Sequence, residues 1–315
     1  MRVGMLFPGQ GSQAVGMGAD LVETFPEARA VFQRADEVLG FELAALCFRG
    51  PIDTLTETRN AQPALLVHSV AVLRVLEARG VAPSVVAGHS LGEYSALVAA
   101  GALQFEDAVR IVRRRGELMF ASGLEQPGTM AAVIGAAPEA VEAACAAARA
   151  HGVCDVANYN APDQVVLSGS VAAIEDAMAR LEGHGAKMVK RLNVSGAFHS
   201  ELMQSAAASL AEFLDGIAVR DAQVPVVANV TARPVTEAAL LRELLKRQIA
   251  SPVRWDESVR AVRALDPGPL LEVGAGSVLK GLARRIDREA VCTAIGDRAG
   301  LDAFLKTLPS ASGGR

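Results

Sequence analysis

Aromatic side chains make up only 4% of the 315 residues, with one Trp and two Tyr. A core built from this chain is therefore mostly aliphatic and alanine-rich. Cysteines are few, and Cys47, Cys145, Cys154 and Cys292 form no C-x-x-C pair. Their spacing argues against disulfides and zinc ligation and reads as reduced core thiols of a cytoplasmic protein. No apolar run approaches the ~20 residues of a membrane-spanning helix. The apolar stretch at residues 1–8 is too short for a signal peptide. Positive charge is not in excess, and a net charge of −4 argues against a dedicated nucleic-acid binder. Phosphate loops are missing too. Gly11 and Gly16 have P-loop spacing without the following Lys-Ser/Thr, and Gly9-Gln10-Gly11 lacks the third glycine of a dinucleotide fingerprint. No repeat with a period of ~20–50 residues is present.

What is there is an ordinary globular composition, 51% hydrophobic and 21% charged, at a length that suggests about two domains. Ser90 lies in Gly88-His89-Ser90-Leu91-Gly92, a G-x-S-x-G pentapeptide. Val85-Val86-Ala87 before it reads as a buried strand, and residues 93–100 after it as a helix stopped by Gly101. Strand, sharp turn and helix together make a nucleophile elbow. Such a turn strains the serine backbone and exposes its hydroxyl, and the flanking glycines keep side chains out of the way. The backbone N–H of Leu91 then points at the oxyanion of any carbonyl that Ser90 attacks. One use for the glycine-rich loop Pro8-Gly9-Gln10-Gly11 is to present further N–H groups to the same oxyanion. Acyl transfer and hydrolysis through an acyl-serine both fit these letters, as does a glycine-bounded turn with an incidental serine.

Residues 3–7 read as a first strand, and 63–79 as a helix opened by Pro63 and closed by Gly80. Residues 105–120 form another helix, on which Ala108, Ile111, Val112, Arg115 and Met119 share one face while Arg113 and Arg114 point sideways. A guanidinium keeps its charge, so Arg115 must meet an anion or be strongly hydrogen-bonded. A bound ligand and a core carboxylate both satisfy that demand. From Gly128 the pattern changes. Strands at 129–134, 153–159, 164–168 and 187–194 and helices at 138–150 and 171–181 follow in β-α-β-β-α-β order, with a turn at 160–163. We read 128–194 as a ferredoxin-like subdomain inserted into a larger α/β domain made of 1–127 and 195–315, with the site expected in the cleft between them. Downstream come helices at 201–214, 236–249 and 255–265, strands at 224–229 and 270–273, and a tail at 310–315 that reads as disordered.

A serine hydroxyl needs a general base, usually histidine. Of five histidines, His68 lies inside an apolar helix and reads as a core residue. His151 and His184 sit in glycine-bounded loops and read as solvated. His89 adjoins Ser90 on a sharp turn that directs its ring away. His199 stands at the start of a helix downstream of Ser90, the order required of the α/β-hydrolase arrangement. Elimination leaves His199 as the base, and the helix N-terminus favours its neutral form. No aspartate between Ser90 and His199 has a placement that marks it as a third member.

Six motifs occur in order: Phe7-Pro8-Gly9-Gln10-Gly11-Ser12-Gln13, Gly88-His89-Ser90-Leu91-Gly92-Glu93-Tyr94, Arg115-Gly116, Asn158-Tyr159-Asn160-Ala161-Pro162, Gly196-Ala197-Phe198-His199-Ser200 and Gln248-Ile249-Ala250-Ser251-Pro252-Val253-Arg254-Trp255. Together, over nearly the whole chain, they resemble the malonyl-CoA:acyl carrier protein transacylases of fatty-acid synthesis and the acyltransferase domains of polyketide synthases. The resemblance implies an α/β-hydrolase-like core with a ferredoxin-like subdomain. It also implies that Ser90 is the nucleophile and His199 the base, with backbone N–H groups of Gln10 and Leu91 on the oxyanion. Arg115 would bind the malonyl carboxylate, and the main-chain carbonyl of Gln248, in place of an aspartate, would orient His199. Phe198 would restrict room beside the malonyl α-carbon, as phenylalanine does in polyketide relatives that choose malonyl. Ala275 departs from the Gly-Pro-Gly of many relatives, a matter of loop stiffness. Malonyl-CoA and acyl carrier protein are the implied partners, with neither a metal nor a bound cofactor. The competing readings are a serine acyl hydrolase or thioesterase, a non-catalytic carrier- or CoA-binding module, and a discrete acyltransferase of polyketide synthesis.

Overall fold

In a parallel sheet covered on both faces, short β-branched runs are buried on both sides, and the strands near the two ends of the chain have that character. A computed structural model describes residues 1–194 and 196–308, so the expected disorder of 310–315 lies outside the described residues. In chain order the strands are β1 (Arg2–Phe7), β2 (Ala82–Gly88), β3 (Gly128–Ile134), β4 (Cys154–Ala161), β5 (Gln164–Ser170), β6 (Met188–Arg191), β7 (Val226–Val227), β8 (Pro234–Val235), β9 (Leu270–Val273) and β10 (Cys292–Ile295). Six of them form one sheet in the order β10-β9-β1-β2-β7-β8, parallel except for the β7–β8 pair. Alternate side chains serve opposite faces. Met5, Phe7, Val86 and Val226 pack with the helices Thr58–Glu77, Gly92–Ala99 and Phe105–Glu125. Leu6, Val85, Ala87 and Val227 pack with Trp255, Val259 and Val262 of the helix Trp255–Leu265, and with Leu279 and Leu282 of the helix Val278–Ile286.

The expected β-α-β-β-α-β order is present. β4, β5, β3 and β6 form an antiparallel sheet in that spatial order, and the helices Pro138–Ala148 and Val171–Gly183 contribute Val141, Ala144, Ala173, Ile174 and Ala177 to its own small core. This sheet is tied to the rest of the chain at β4, where Tyr159 N donates to Val253 O (2.9 Å) and Val253 N donates to Ala157 O (2.8 Å).

Several boundaries differ from those read in the sequence. The helix expected to open at Pro63 begins five residues earlier, and Pro63 lies inside it. A proline there leaves the carbonyl four residues back without its donor, and Arg113 Nη1 supplies one to Arg59 O at 3.0 Å. The strand expected over 224–229 shrinks to Val226–Val227 because Asn229 is drawn into the elbow described below. Asn160 and Ala161 belong to β4, which leaves Pro162-Asp163 as the turn. β6 stops at Arg191 rather than 194, since Val194 N turns back onto Leu192 O (3.1 Å). Four helices between residues 19 and 56, together with Val278–Ile286, β10 and Arg298–Leu305, had no counterpart in the sequence reading.

β1 and β2 are parallel neighbours, so the loops at their carboxyl ends meet. Three glycines let them meet closely. A Cβ on Gly9 would lie 2.6 Å from His89 O, one on Gly88 1.9 Å from Gly92 C, and one on Gly92 2.1 Å from Phe7 O. We expect Gly92→Ala to lower unfolding stability by roughly 1–3 kcal/mol through overpacking. Gly281, inside the helix Val278–Ile286 with open space around its Cβ position, is the contrast. Gly281→Ala should stabilise by ~0.5–1 kcal/mol through helix propensity. Urea unfolding of both variants checks the pair, and equal effects would refute the close-approach argument.

Candidate active site

Ser90 leaves β2 with a φ of 51°, the left-handed strain expected of the elbow. Hydrogen bonds from three directions fix that turn. Ser90 N donates to Asn229 Oδ1 (2.7 Å), Asn229 Nδ2 donates to Gly88 O (2.7 Å), and Gln248 Nε2 donates to Ser90 O (2.9 Å). The backbone N–H groups of Gln10 and Leu91 donate to no group among the described residues, and both residues line the cleft beside Ser90. The Gln10 side chain turns aside to Thr58 Oγ1 (2.9 Å).

His199, also in the left-handed region at φ 58°, places Nε2 2.7 Å from Ser90 Oγ. Its Nδ1 lies 3.0 Å from both Gln248 O and Ser251 O. Carbonyls only accept, so Nδ1 carries the proton and Nε2 keeps its lone pair. Arg115 Nη2 donates to Ser90 Oγ from 3.0 Å, which leaves the serine proton to point at His199 Nε2. The family resemblance had implied Gln248 O as the orienting group, and the Ser251 carbonyl joins it. Burial, together with the Arg115 cation, pushes the imidazole down to about 3. The pair is therefore set with an acceptor nitrogen against a hydroxyl donor, the arrangement required for proton removal from a serine.

Arg115 is 1% exposed, on the apolar helix face where the sequence placed it. Of the two ways the sequence left for a buried guanidinium, an anion or strong hydrogen bonding, its contacts within the protein are the second, and no core carboxylate touches it. Its acceptors are Gln62 Oε1 (2.8 Å), Gln248 Oε1 (3.1 Å) and Ser90 Oγ, all uncharged. The Tyr94 ring lies 5.7 Å from its guanidinium carbon, and Nε is buried without a partner. The cleft above has a volume of about 320 Å³. Met119, Met130, Leu192 and Phe198 give it an apolar wall opposite Ser90, His199 and Arg115.

The remaining histidines fall as expected. His68 is fully buried, and His151 and His184 are exposed. His89 turns away from Ser90, with Nε2 donating to Asn160 Oδ1 at 2.8 Å and its ring edge against Trp255. Among the described residues no group of three or more His, Cys, Asp or Glu side chains is arranged to hold a metal. All four cysteines are free and buried. No helix of the described residues is long and apolar enough to cross a membrane. Sequence reasoning missed Asn229, Gln62, Glu93 and the side chain of Gln248. Glu93, directly after the pentapeptide, was the one with a visible signal, a carboxylate inside an apolar helix.

Nearly the whole chain is similar to known proteins. A family model described as an acyl transferase domain matches residues 5–311. The malonyl CoA-acyl carrier protein transacylase of Bacillus subtilis (strain 168) is 44% identical over 308 residues, covering 98% of this chain and 97% of the relative. The crystal structure of an acyl carrier protein S-malonyltransferase from Vibrio cholerae has a TM-score of 0.92 at 42% identity, over 96% of this chain and 100% of that one. A malonyl-transacylase solved in complex with a type II polyketide acyl-carrier protein has a TM-score of 0.94 at 42% identity, over 98% and 100% of the two chains.

The His199 environment has a signed consequence. Its folded value of about 3 lies below the usual 6.5, so the unfolded chain binds the extra proton between those limits. The stability tied to this ring is full above pH 6.5 and is lost as pH falls through the window. In a ¹⁵N-labelled sample His199 should keep the neutral, Nδ1–H pattern at pH 5.5. A titration centred near 6.5 would contradict the buried arrangement.

Proposed function

The chain belongs to the acyl transferase family, and we propose that it moves a malonyl group from malonyl-CoA to the phosphopantetheine thiol of an acyl carrier protein, supplying fatty-acid chain elongation. The observation that carries this reading is a buried guanidinium already in contact with the nucleophile. Once Ser90 Oγ is acylated, a malonyl carboxylate sits one methylene beyond the acyl carbonyl, within reach of a group that stood 3.0 Å from that oxygen. A general acyl hydrolase has no use for a cation there, and a passive binding module has none for the Ser90–His199 pair.

In the first half-reaction Ser90 Oγ attacks the thioester carbonyl and its proton passes to His199 Nε2. The N–H groups of Gln10 and Leu91 donate to the oxyanion. Collapse expels the CoA sulfur, which takes the proton from His199. In the second half-reaction the carrier thiol gives its proton to His199 and attacks the malonyl ester, and the returning proton regenerates Ser90. Two acyl transfers through one serine make the kinetics ping-pong. The Gln248 and Ser251 carbonyls steady the imidazolium, so no carboxylate partner is required. Neither a metal nor a bound cofactor enters the scheme. Residues 128–194 act as a subdomain inserted between 1–127 and 195–315, and Met130, Asn158 and Leu192 from that unit share the cleft lining with Ser90 and Arg115. We place this chemistry in the cytoplasm, in keeping with four free, buried cysteines. The type II polyketide complex among the structural neighbours supports a second setting, in which the same reaction loads a polyketide carrier.

Mixing the protein with malonyl-CoA should add one malonyl group, mapped to Ser90 by peptide mass spectrometry, and Ser90→Ala should add none. Arg115→Ala should lose malonyl transfer by up to ~10⁴-fold while acetyl transfer persists or rises, because the cation left unpaired by an acetyl group is gone. A parallel loss of both would make Arg115 purely structural.

Phe198, 6% exposed beside His199, should reject an extra methyl on the α-carbon. An overpacking cost of ~1–3 kcal/mol corresponds to roughly a ten- to hundredfold preference for malonyl over methylmalonyl. Phe198→Ser should narrow that ratio and keep most malonyl activity. An unchanged ratio in a folded variant would place selectivity elsewhere.

A further inference from the structure

Among the described residues, Glu93 is a buried carboxylate near Ser90 that the scheme above does not use. It follows the elbow in the helix Gly92–Ala99 and is 3% exposed. Both of its oxygens accept hydrogen bonds. Oε1 takes the Asn229 N–H (3.2 Å) and Oε2 takes Gln248 Nε2 (2.5 Å). Gln248 Nε2 also donates to Ser90 O, so the amide has one orientation and its Oε1 must face Arg115 Nη2 (3.1 Å). The result is a relay of carboxylate, amide and guanidinium. Two donors aimed at its two oxygens favour the ionised carboxylate, which accepts at both and has no proton to place. The resting site thus holds an internal ion pair, Glu93 and Arg115, kept out of contact by a glutamine side chain. Among the described residues the titratable groups that act on Glu93 or adjoin it are Arg115 from the helix Phe105–Glu125 and Tyr94 on its own helix, with His89 and His199 beside Ser90. Burial keeps the two imidazoles and the Tyr94 phenol neutral. Arg115 is the cation that acts on Glu93.

We propose that Glu93 is the resident counter-ion of Arg115 and that it takes up a proton from solvent when a carboxylate-bearing acyl group binds the guanidinium. The inference rests on the reading that Arg115 receives an acyl carboxylate. A second carboxylate entering the buried site would leave it with one net negative charge, and protonating Glu93 restores neutrality. Glu93 is poised for this exchange. Burial pushes its carboxyl up to about 7, against the hydrogen bonds from Gln248 and Asn229 and the Arg115 charge that hold it down. Glu93 is then a positioning and selectivity residue, acting through Gln248 and Arg115 without touching substrate.

The linkage has a readable sign. One proton taken up with the ligand lowers affinity by up to ~10-fold per pH unit above pH 7, and only for acyl groups that carry a carboxylate. The test uses Ser90→Ala, which binds acyl-CoA without being acylated. Calorimetry with malonyl-CoA and acetyl-CoA between pH 6 and 8.5, in buffers of different ionisation enthalpy, gives dissociation constants and proton counts. Both ligands bear the same CoA phosphates, so the phosphate titration cancels in the comparison. Malonyl-CoA should take up more protons than acetyl-CoA, with the excess approaching one above pH 7, and its affinity advantage should shrink as pH rises. Adding Glu93→Gln should remove the excess and flatten the ratio. Should that variant not fold, the proton excess with Glu93 in place decides alone. Equal proton counts with a malonyl preference intact, or an excess that survives Glu93→Gln, would overturn the inference while leaving the reading of Arg115 standing. No malonyl preference at any pH would overturn both.

Discussion

A guanidinium does not shed its charge in a protein, and Arg115 carries one at 1% exposure without a carboxylate in contact. The surrounding structure answers that constraint. Gln62 and Gln248 supply amide oxygens, Ser90 supplies its hydroxyl, and Glu93 supplies compensating charge at one remove through Gln248. Placing a carboxylate directly on Arg115 would satisfy the cation and also occupy it. Leaving it on uncharged acceptors keeps the strongest interaction free for a ligand.

Gln248 joins the two halves of the chemistry. Its main-chain carbonyl accepts from His199 Nδ1, and its side chain spans Glu93, Ser90 O and Arg115. A shift of the segment after the helix Ala238–Gln248 would therefore disturb base and cation together. The same economy appears at Asn229, whose side chain holds Ser90 N and Gly88 O and whose N–H reaches Glu93. Left-handed backbone at two non-glycine residues, Ser90 and His199, is unfavourable. These hydrogen bonds are what over-determines it.

The periodicity of residues 105–120 was enough to bury Arg115 on an apolar face, because a helical wheel depends only on spacing. G-x-S-x-G between a β-branched run and a helix was enough for the elbow, because glycines at those positions answer a local steric demand. The alternating pattern of 128–194 gave the order of the small sheet's elements, since each segment carried its own turn residues. The helices between residues 19 and 56 were not legible. Leu21, Val31, Phe32 and Leu43 are buried there, yet the stretch is broken into short pieces that no single period spans. Pro63 misled for a related reason. The donor that replaces its missing N–H comes from Arg113, on another helix.

By itself the sequence picked out the candidate residues. Ser90, His199, the Leu91 N–H and an arginine at position 115 on an apolar face followed from local pattern and elimination, and the roles proposed for Gln10, Arg115, Phe198 and Gln248 from the resemblance that the ordered motifs carry. Only the tertiary structure decided how they are charged and aimed. Whether Arg115 meets an anion, an amide or a hydroxyl depends on Gln62, Ser90 and Gln248, separated from it by 53, 25 and 133 positions. The imidazole tautomer depends on carbonyls 49 and 52 positions away. Burial and hydrogen-bond direction belong to neighbours in space, and a linear pattern carries no record of contacts that distant in the chain.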